Sequence, residues 1–426
     1  MQALWVGLVI ARGGSDIASP RSSRFVGVPG VTNLHTPRRR DDDRRVGRRL
    51  EGIPGFGIDR VAEAAGSDPE VLRLENLDTD VPPHPDAVEV TRAAVGRDEA
   101  NSYLPFSGLA EMKEAVAGLI RRRGGPAYDP YGEIVITQGD GDNMLNALLA
   151  LTDPGDEVVL TDPTYAGMIQ RVRLVGAVPR LVPMRGDSGG WRLDLDALHA
   201  AVSDRTRVLF LMNPAIPSGW VANDEEWMSV TAICRERGIM LLYHMLMEAI
   251  VFGGRPVVVP SGLEGMRDLT VTLGAVSFEQ RMIGWRVGWM VANAELAPAL
   301  ALVHIYNGVC TSGFGQIGAA AAIKLGDDDV GVAVAEWERR HDELVRQCNG
   351  LPLVPARGGW SALIDAEACG LDAPELSRRL LAQRVAATPM TAWGETVAPR
   401  HVRFVFSNEP VERLAQLGKR LGAALA

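Results

Sequence analysis

A glycine-rich turn that carries two carboxylates is a segment of this 426-residue chain with residue types suited to ligand chemistry. It reads Thr137-Gln-Gly-Asp-Gly-Asp142, after an apolar run with strand character and before a helical pattern. Backbone N–H groups at the start of a helix favour an anion, so Gly139 and Gly141 are candidates for an anion cradle. Asp140 and Asp142 oppose this, because a carboxylate there repels an anion and caps the helix itself. We expect Asp142 to be such a cap.

An imidazole and a phenol are further candidates. His244 follows the apolar run Ile239–Tyr243, and at the carboxyl end of a strand it could be an acid or base, or a satisfied core residue. Tyr165 could offer its ring face to a flat ligand, or pack in the protein. We expect Glu248 to lie on a helix or in solvent. The sequence has no Ser/His/Asp order, His-x-x-x-His pair or Walker loop, so it predicts no metal site.

Composition limits the class of protein. Apolar residues make up 46% of the chain and charged residues 23%, which is typical of a globular protein. The net charge of −9 argues against a nucleic-acid partner. No segment is long and apolar enough to predict a membrane span. The four cysteines lack metal-like spacing and indicate thiols in a reducing compartment, so we expect a cytoplasmic protein.

Compact apolar runs that alternate with helical patterns predict an α/β fold. Strands of a mostly parallel sheet are buried on both faces by helices, so they appear as continuous apolar segments. Segments such as Asn143–Leu151 and Glu225–Arg237 carry the helical pattern between them. The predicted strands are Glu133–Thr137, Glu157–Thr161, Val208–Met212, Ile239–Tyr243 and Leu269–Leu273.

The pattern divides the chain into four segments. Residues 1–50 include a stretch that mixes arginines with aspartates, which is typical of a disordered arm. They could equally follow a start codon placed too far upstream. We expect residues 51–95 to be an N-terminal segment that packs with a small domain. Residues 96–330 are predicted to form a large α/β domain, and residues 331–426 the small α+β domain.

Several motifs, in order, give the chain a resemblance to a known family from about residue 52 to its end. The segment from Gly274 to Trp289 resembles the signature Ser-Lys-x5-Gly-x-Arg-x-Gly-Trp. Asn213-Pro-Ala-Ile-Pro-Ser-Gly219 resembles Asn-Pro-x-Asn-Pro-Thr-Gly, and the segment at Tyr103 resembles Tyr-x-Pro-x-x-Gly. These motifs are similar to those of the class I/II aminotransferases of fold type I, which use pyridoxal phosphate (PLP). The resemblance implies a homodimer, because this family builds each pocket from two chains.

The resemblance also implies roles for matching residues. Tyr103 would reach the cofactor phosphate of the partner subunit, and Arg286 matches the phosphate-binding arginine of the signature. Tyr165 would stack on the pyridine ring. Arg403 matches the arginine that grips the substrate carboxylate, for which a planar guanidinium is suited.

Four positions depart from the family pattern. Phe278 stands where the catalytic lysine is expected, and a phenyl ring cannot form a Schiff base. His244 replaces the aspartate at the pyridine nitrogen. Ile216 and Met247 replace the asparagine and tyrosine near the phenolic oxygen. The chain has only three lysines, none of them near the signature: Lys113, Lys324 and Lys419.

These departures predict that the protein has abandoned PLP and needs no cofactor. We expect a lyase, cyclase or isomerase of specialised metabolism that acts on a small amino-acid-like carboxylate. His244 and Glu279 would be catalytic, and the substrate would contact Arg403, Tyr165, Phe278 and Ile216. One alternative is an enzyme that holds PLP, or its amine form pyridoxamine phosphate (PMP), without a covalent bond. The other is a non-catalytic pseudoenzyme that binds a partner or ligand.

Overall fold

Strands and helices alternate along the chain in the computed structural model, which describes residues 47–54 and 57–426. The strands are β1 (Leu72–Arg73), β2 (Ile134–Thr137), β3 (Glu157–Asp162), β4 (Val178–Asp187), β5 (Gly190–Leu193), β6 (Thr206–Met212), β7 (Met240–His244), β8 (Thr270–Ala275), β9 (Gly288–Val291), β10 (Leu353–Val354), β11 (Ser361–Asp365), β12 (Val385–Ala386), β13 (Thr388–Pro389) and β14 (His401–Val405). The helices are α1 (Gly57–Ala65), α2 (Pro85–Val95), α3 (Ala110–Arg122), α4 (Asp140–Leu151), α5 (Ala166–Leu174), α6 (Leu195–Ala201), α7 (Asp224–Arg237), α8 (Ala297–Gly308), α9 (Gly313–Lys324), α10 (Asp327–Gln347), α11 (Ala373–Ala382), α12 (Val411–Leu414) and α13 (Leu417–Leu425).

The large sheet has eight strands in the order β2-β9-β8-β7-β6-β3-β4-β5. Its five consecutive strands from β8 to β4 pair in parallel, and β9, β2 and β5 pair antiparallel at the two sides. All residues of β3, β8 and β9 are buried, as the burial of parallel sheets requires. The predicted α/β fold is therefore confirmed, and the predicted strands match β2, β3, β6, β7 and β8 to within about two residues at each end.

The parallel strands bring distant parts of the chain to one edge. Met212, the last residue of β6, pairs with His244 at the end of β7, and His244 pairs with Leu273 in β8. Strand β3, next to β6, ends at Asp162. Ligands of open α/β sheets bind outside the carboxyl ends of the strands, so this edge is where a site is expected.

A smaller sheet of four antiparallel strands, in the order β10-β11-β14-β13, forms from the C-terminal part of the chain. Strand β1 pairs in parallel with β12, so the N-terminal segment packs against C-terminal elements. The domain boundaries remain a prediction. The predicted arm lies outside the described residues, except for residues 47–50.

A buried carboxylate at the end of β3 binds the loop between β13 and β14. The two carboxylate oxygens of Asp162 accept hydrogen bonds from the four backbone N–H groups of residues 395–398, at 2.7–3.1 Å. They also accept one from the Thr396 hydroxyl at 3.0 Å. Trp393 lies in the same loop, and its carbonyl oxygen accepts a hydrogen bond from the Thr164 N–H at 2.9 Å. Asp162 therefore joins the large sheet to the small one.

We expect the substitution Asp162→Ala to lower the free energy of unfolding by about 3 kcal/mol, because it leaves one buried and three partly buried N–H groups without acceptors. Urea unfolding followed by circular dichroism measures this. Asp372→Ala, which removes the exposed N-cap of α11, is the matched control and should cost clearly less. Equal losses in the two variants would contradict the role assigned to Asp162.

Candidate functional site

A cavity of about 240 Å³ lies at the carboxyl ends of the parallel strands. This is somewhat smaller than the roughly 300–1,000 Å³ of sites for drug-sized ligands, so it suits a small metabolite. The residues that line it come from the N-terminal segment, from the strand ends of the large sheet, and from the small sheet and its loop. They are Ile58, Asp59, Asn76, Leu77, Asp140, Tyr165, Met212, Ile216, His244, Leu246, Phe278, Trp393 and Arg403.

Arg403, on β14, brings a fully buried positive charge to this cavity. One guanidinium nitrogen, Nη2, donates to the carbonyl oxygen of Glu75 at 2.5 Å, and the guanidinium carbon lies 4.6 Å from the ring centroid of Trp393. The other two nitrogens, Nε and Nη1, have no hydrogen-bond partner. Burial lowers the pKa of Arg403 to about 10, so the group is still charged at neutral pH. Unpaired buried donors of this kind form a site for a carboxylate.

His244 lies at the end of β7 and is also buried. Neither ring nitrogen has a partner among the described residues. Burial lowers the pKa of His244 to about 4, an effect that Asp140 opposes and Arg171 adds to. The imidazole is therefore neutral near pH 7. It offers a ligand one N–H donor and one nitrogen acceptor.

Aromatic rings form two walls of the cavity. Tyr165 meets Trp393 edge to face, with 6.0 Å between the ring centroids. A Cβ at Gly167 would lie 2.6 Å from the Tyr165 ring, so glycine is needed there. Phe278 packs on Trp360, with 4.7 Å between the ring centroids. The surfaces of Tyr165 and Phe278 are suited to contact a flat ligand.

The glycine-rich turn is the N-terminus of α4, with Gly139 as the N-cap at φ 100°. The guanidinium of Arg286 packs against this glycine, since a Cβ at Gly139 would lie 2.8 Å from Nη2. Asp140 lines the cavity, and its Oδ1 lies 3.7 Å from the same nitrogen. Asp142 instead accepts from the N–H of Gln138 at 3.3 Å and from Asn307 at 2.8 Å. Gln138 precedes the N-cap Gly139, so Asp142 does not cap the helix as predicted.

Glu279 lies outside the cavity. Its carboxylate accepts hydrogen bonds from Arg123 at 2.8 Å and from the Ala249 N–H at 2.7 Å. The expectation that Glu248 is solvated or helical is wrong: its side chain is fully buried and is bonded to Arg123 at 3.2 Å and to the Tyr243 hydroxyl at 3.0 Å. The sequence near Glu248 holds no sign of Arg123, which reaches it from the end of α3.

Tyr103 also lies outside the cavity and is 83% exposed. Its predicted contact with the phosphate of a partner subunit remains a prediction. Sequence analysis missed Trp393, Asp59 and Asn76, because they reach the cavity from segments without a recognisable motif. The contact between Trp393 and the buried Arg403 can be recognised only in the folded chain.

Within residues 47–54 and 57–426, no helix is both long enough and apolar enough to cross a membrane. The same part of the chain contains no group of three or more His, Cys, Asp or Glu side chains arranged to hold a metal ion.

The architecture and the motifs agree with a match to a family of known proteins. The family model described as aminotransferase class I and II matches residues 71–421. The chain belongs to the class I and II aminotransferase family.

Named relatives and solved structures of this aminotransferase family cover most of the chain. The probable aspartate/prephenate aminotransferase of Aquifex aeolicus is 29% identical over 352 residues, 80% of this chain and 88% of the relative. The LL-diaminopimelate aminotransferase of Desulforudis audaxviator is 29% identical over 389 residues, 89% of this chain and 97% of the relative. The structure of N-succinyldiaminopimelate aminotransferase from Mycobacterium tuberculosis superposes with a TM-score of 0.84 at 27% identity and covers 89% of this chain and 100% of that one.

These comparisons overturn the leading functional prediction. The relatives are named as aminotransferases, and the family depends on PLP. The predictions of a PLP-independent lyase, cyclase or isomerase, of a protein without a cofactor, and of a pseudoenzyme are therefore wrong. The physical reason is that Phe278, His244 and Ile216 are predicted to concern only contacts to the ring and its covalent anchor. Carboxylate and phosphate contacts are predicted for other residues, Arg403 and Arg286. That Phe278 occupies the lysine position remains a prediction from the motif.

Two residues of the cavity, and Arg286 beside the cavity-lining Asp140, fit PLP. Arg403 has unpaired donors for a carboxylate, His244 has unpaired nitrogens for a ring substituent or ring nitrogen, and Arg286 lies beside a helix N-terminus where a phosphate is favoured. None of the three lysines lines the cavity. Lys113 donates to the Ser107 hydroxyl at 2.8 Å, and Lys324 pairs with Glu111 at 2.6 Å. Both amines are therefore bonded away from the cavity.

The buried Glu248 carboxyl predicts a pH dependence of stability. Burial raises its pKa to about 7 from an ordinary value of 4.5, although Arg123 opposes this. The contribution of this carboxyl to the free energy of unfolding is fully present below about pH 4.5 and is lost as the pH rises through 7. We expect the stability of Glu248→Gln relative to the unsubstituted protein to rise by roughly 1–3 kcal/mol between pH 5 and pH 8. Urea unfolding at each pH measures the free energy of unfolding of both proteins. The same pH dependence in both would contradict the prediction.

Proposed function

We propose that this protein is an aminotransferase-family enzyme that binds PLP or PMP without a covalent bond and acts on a small amino acid or keto acid. One observation carries the proposal: the unpaired donors of buried Arg403 and the unpaired nitrogens of buried His244 face one cavity, and no lysine lines it. Buried polar groups are nearly always hydrogen-bonded in folded proteins. A ligand with a carboxylate and a polar ring would satisfy both.

Arg403 would bind and orient the substrate. Its Nε and Nη1 lack partners while Nη2 is held by the Glu75 carbonyl oxygen, so the guanidinium cannot turn freely. Packing over Trp393 stabilises the same orientation. A bidentate pair with a carboxylate would then place the neighbouring carbon of the substrate at a fixed position in the cavity.

The ring of the cofactor would lie between aromatic and apolar side chains. When bound, PLP supplies a conjugated system that stabilises negative charge on a carbon next to an amine. Tyr165 would contact the ring face, and Ile216 and Phe278 would exclude water. His244 would hydrogen-bond the pyridine side as a neutral group. With a pKa of about 4 it would hold the ring rather than move protons, because an effective base titrates near the working pH.

The phosphate would bind at the N-terminus of α4. Gly139 allows Arg286 to approach the turn closely, and the first N–H groups of the helix point toward an anion. Binding of the cofactor would rely on the phosphate contacts at the N-terminus of α4 and on the ring contacts, since Phe278 offers no amine for a covalent anchor.

We also propose a homodimer, as in the family. Exposed aromatic residues support this, because Tyr103, Phe106, Tyr306 and Phe314 are each 37–84% exposed. The segment before Tyr103 packs on the start of α9, where a Cβ at Gly313 would lie 2.4 Å from the Ala100 carbonyl oxygen. A second copy is a partner that would cover such a surface, since aromatic residues are enriched in interfaces.

Arg403→Met should weaken the binding of amino-acid and keto-acid substrates by about 10- to 100-fold, because a charged hydrogen-bonded pair is lost. Titration of the PLP- or PMP-loaded protein, followed by absorbance, measures this affinity. Arg400→Met is the matched control on the surface, where Arg400 pairs with Asp365, and should change the affinity by less than about threefold. Equal effects in the two variants would remove Arg403 from the binding site.

Phe278→Lys should create a covalent anchor where the unsubstituted protein has none. After incubation with PLP and reduction with borohydride, we expect the mass of the variant to increase by one reduced cofactor. The unsubstituted protein and Phe278→Met, which retains an apolar side chain, should show no such increase. A trapped cofactor on Lys113, Lys324 or Lys419 of the unsubstituted protein would contradict non-covalent binding.

A further inference from the structure

The cation available to the cofactor phosphate already has an anionic neighbour. Nη2 of Arg286 lies 3.7 Å from Oδ1 of Asp140. The other terminal nitrogen, Nη1, donates to the carbonyl oxygen of Ile283 at 2.9 Å. Contact of the guanidinium with Gly139 holds it at the start of α4. A phosphate at this turn would therefore meet a guanidinium that Asp140 already partly neutralises.

Asp140 is directed toward the cavity as well as toward Arg286. It is one of the cavity-lining residues, and its side chain is 20% exposed. Its charge raises the pKa of both His244 and Tyr165, although burial is the larger effect on each and lowers the pKa of His244. Electrostatic coupling to both rings indicates that the carboxylate lies near the cavity interior.

A dianionic phosphate at the same turn would have to displace this carboxylate from the Arg286 guanidinium. Competition with an ion pair at a partly buried site changes an affinity by about tenfold. Asp140 cannot move far from the turn, because it is the first residue of α4. The opposition to a phosphate is thus part of the fold.

We propose that Asp140 weakens phosphate binding by competing for Arg286, so that PLP or PMP is a dissociable co-substrate and not a permanently bound group. This inference rests on the proposed function. Two features act together: no lysine lines the cavity to retain the cofactor covalently, and the carboxylate lowers the affinity of the remaining non-covalent contacts. The cofactor exchanges with the free pool between turnovers.

The test is equilibrium binding of PLP, PMP, inorganic phosphate and phosphate-free pyridoxamine, followed by quenching of tryptophan fluorescence. Inorganic phosphate is measured by competition. Asp140→Asn should bind PLP, PMP and phosphate about tenfold more tightly, and pyridoxamine should be unaffected. Asp140→Ser should reproduce the gain if the asparagine variant folds poorly. On gel filtration the unsubstituted protein should lose bound cofactor, and Asp140→Asn should retain more.

Asp59→Asn is the matched control, because it removes one carboxylate from the wall of the same cavity. We expect it to change the affinity for PLP by less than twofold. In a protein with Arg286→Gln, adding Asp140→Asn should raise the affinity for PLP by less than threefold, since the competition needs the guanidinium. These are equilibrium measurements and do not depend on turnover.

Two results would overturn the competition at Arg286. One is an equal increase in PLP affinity in Asp59→Asn, and the other is a full tenfold increase from Asp140→Asn in the protein with Arg286→Gln. Clear binding of PLP by the unsubstituted protein with no gain in Asp140→Asn would overturn the role of Asp140 and leave the proposed function standing. Failure of the unsubstituted protein and of both Asp140 variants to bind PLP or PMP would overturn the proposed function, and this inference with it.

Discussion

A fully buried guanidinium with two unpaired donors is the constraint on which the site depends. Burial of a charge costs free energy unless hydrogen bonds or opposite charges compensate for it. Arg403 obtains part of that compensation from the Glu75 carbonyl oxygen and from the ring face of Trp393. Trp393 lies in the loop that Asp162 binds. The large sheet therefore helps to hold an arginine of the small sheet with donors open to a ligand.

Arg123, whose side chain is 3% exposed, is in the opposite situation. It meets the carboxylates of Glu248, Glu279 and Asp327 at 2.8–3.2 Å. That cluster joins the end of α3 to the segments after β7 and β8 and to the start of α10. The contrast separates structure from function: a buried cation surrounded by carboxylates holds elements together, whereas Arg403 has unpaired donors that face a cavity.

The motifs alone led to a wrong functional prediction for an identifiable reason. They exposed changes at the ring contacts, at His244 and Ile216, and at Phe278 where the lysine is expected. Those changes concern the anchor and electronics of a cofactor. Whether a cofactor still fits depends on the shape and charge of the whole cavity, which includes Asp140 and Trp393. Family membership then decided against a cofactor-free enzyme, and the unpaired atoms of the cavity support retention without a covalent bond.

Local pattern was sufficient for the architecture. Apolar runs such as Val208–Met212 predict buried strands, because burial on both faces demands an uninterrupted apolar segment. The motifs also named Arg403, Tyr165 and His244 as neighbours. Burial and pairing could not be foreseen: Glu279 was expected to be catalytic and Glu248 to lie on a helix or in solvent, but the fold brings Arg123 to both. The reason is that a pattern depends on near neighbours in sequence, while desolvation and pairing depend on atoms that only the folded chain brings together.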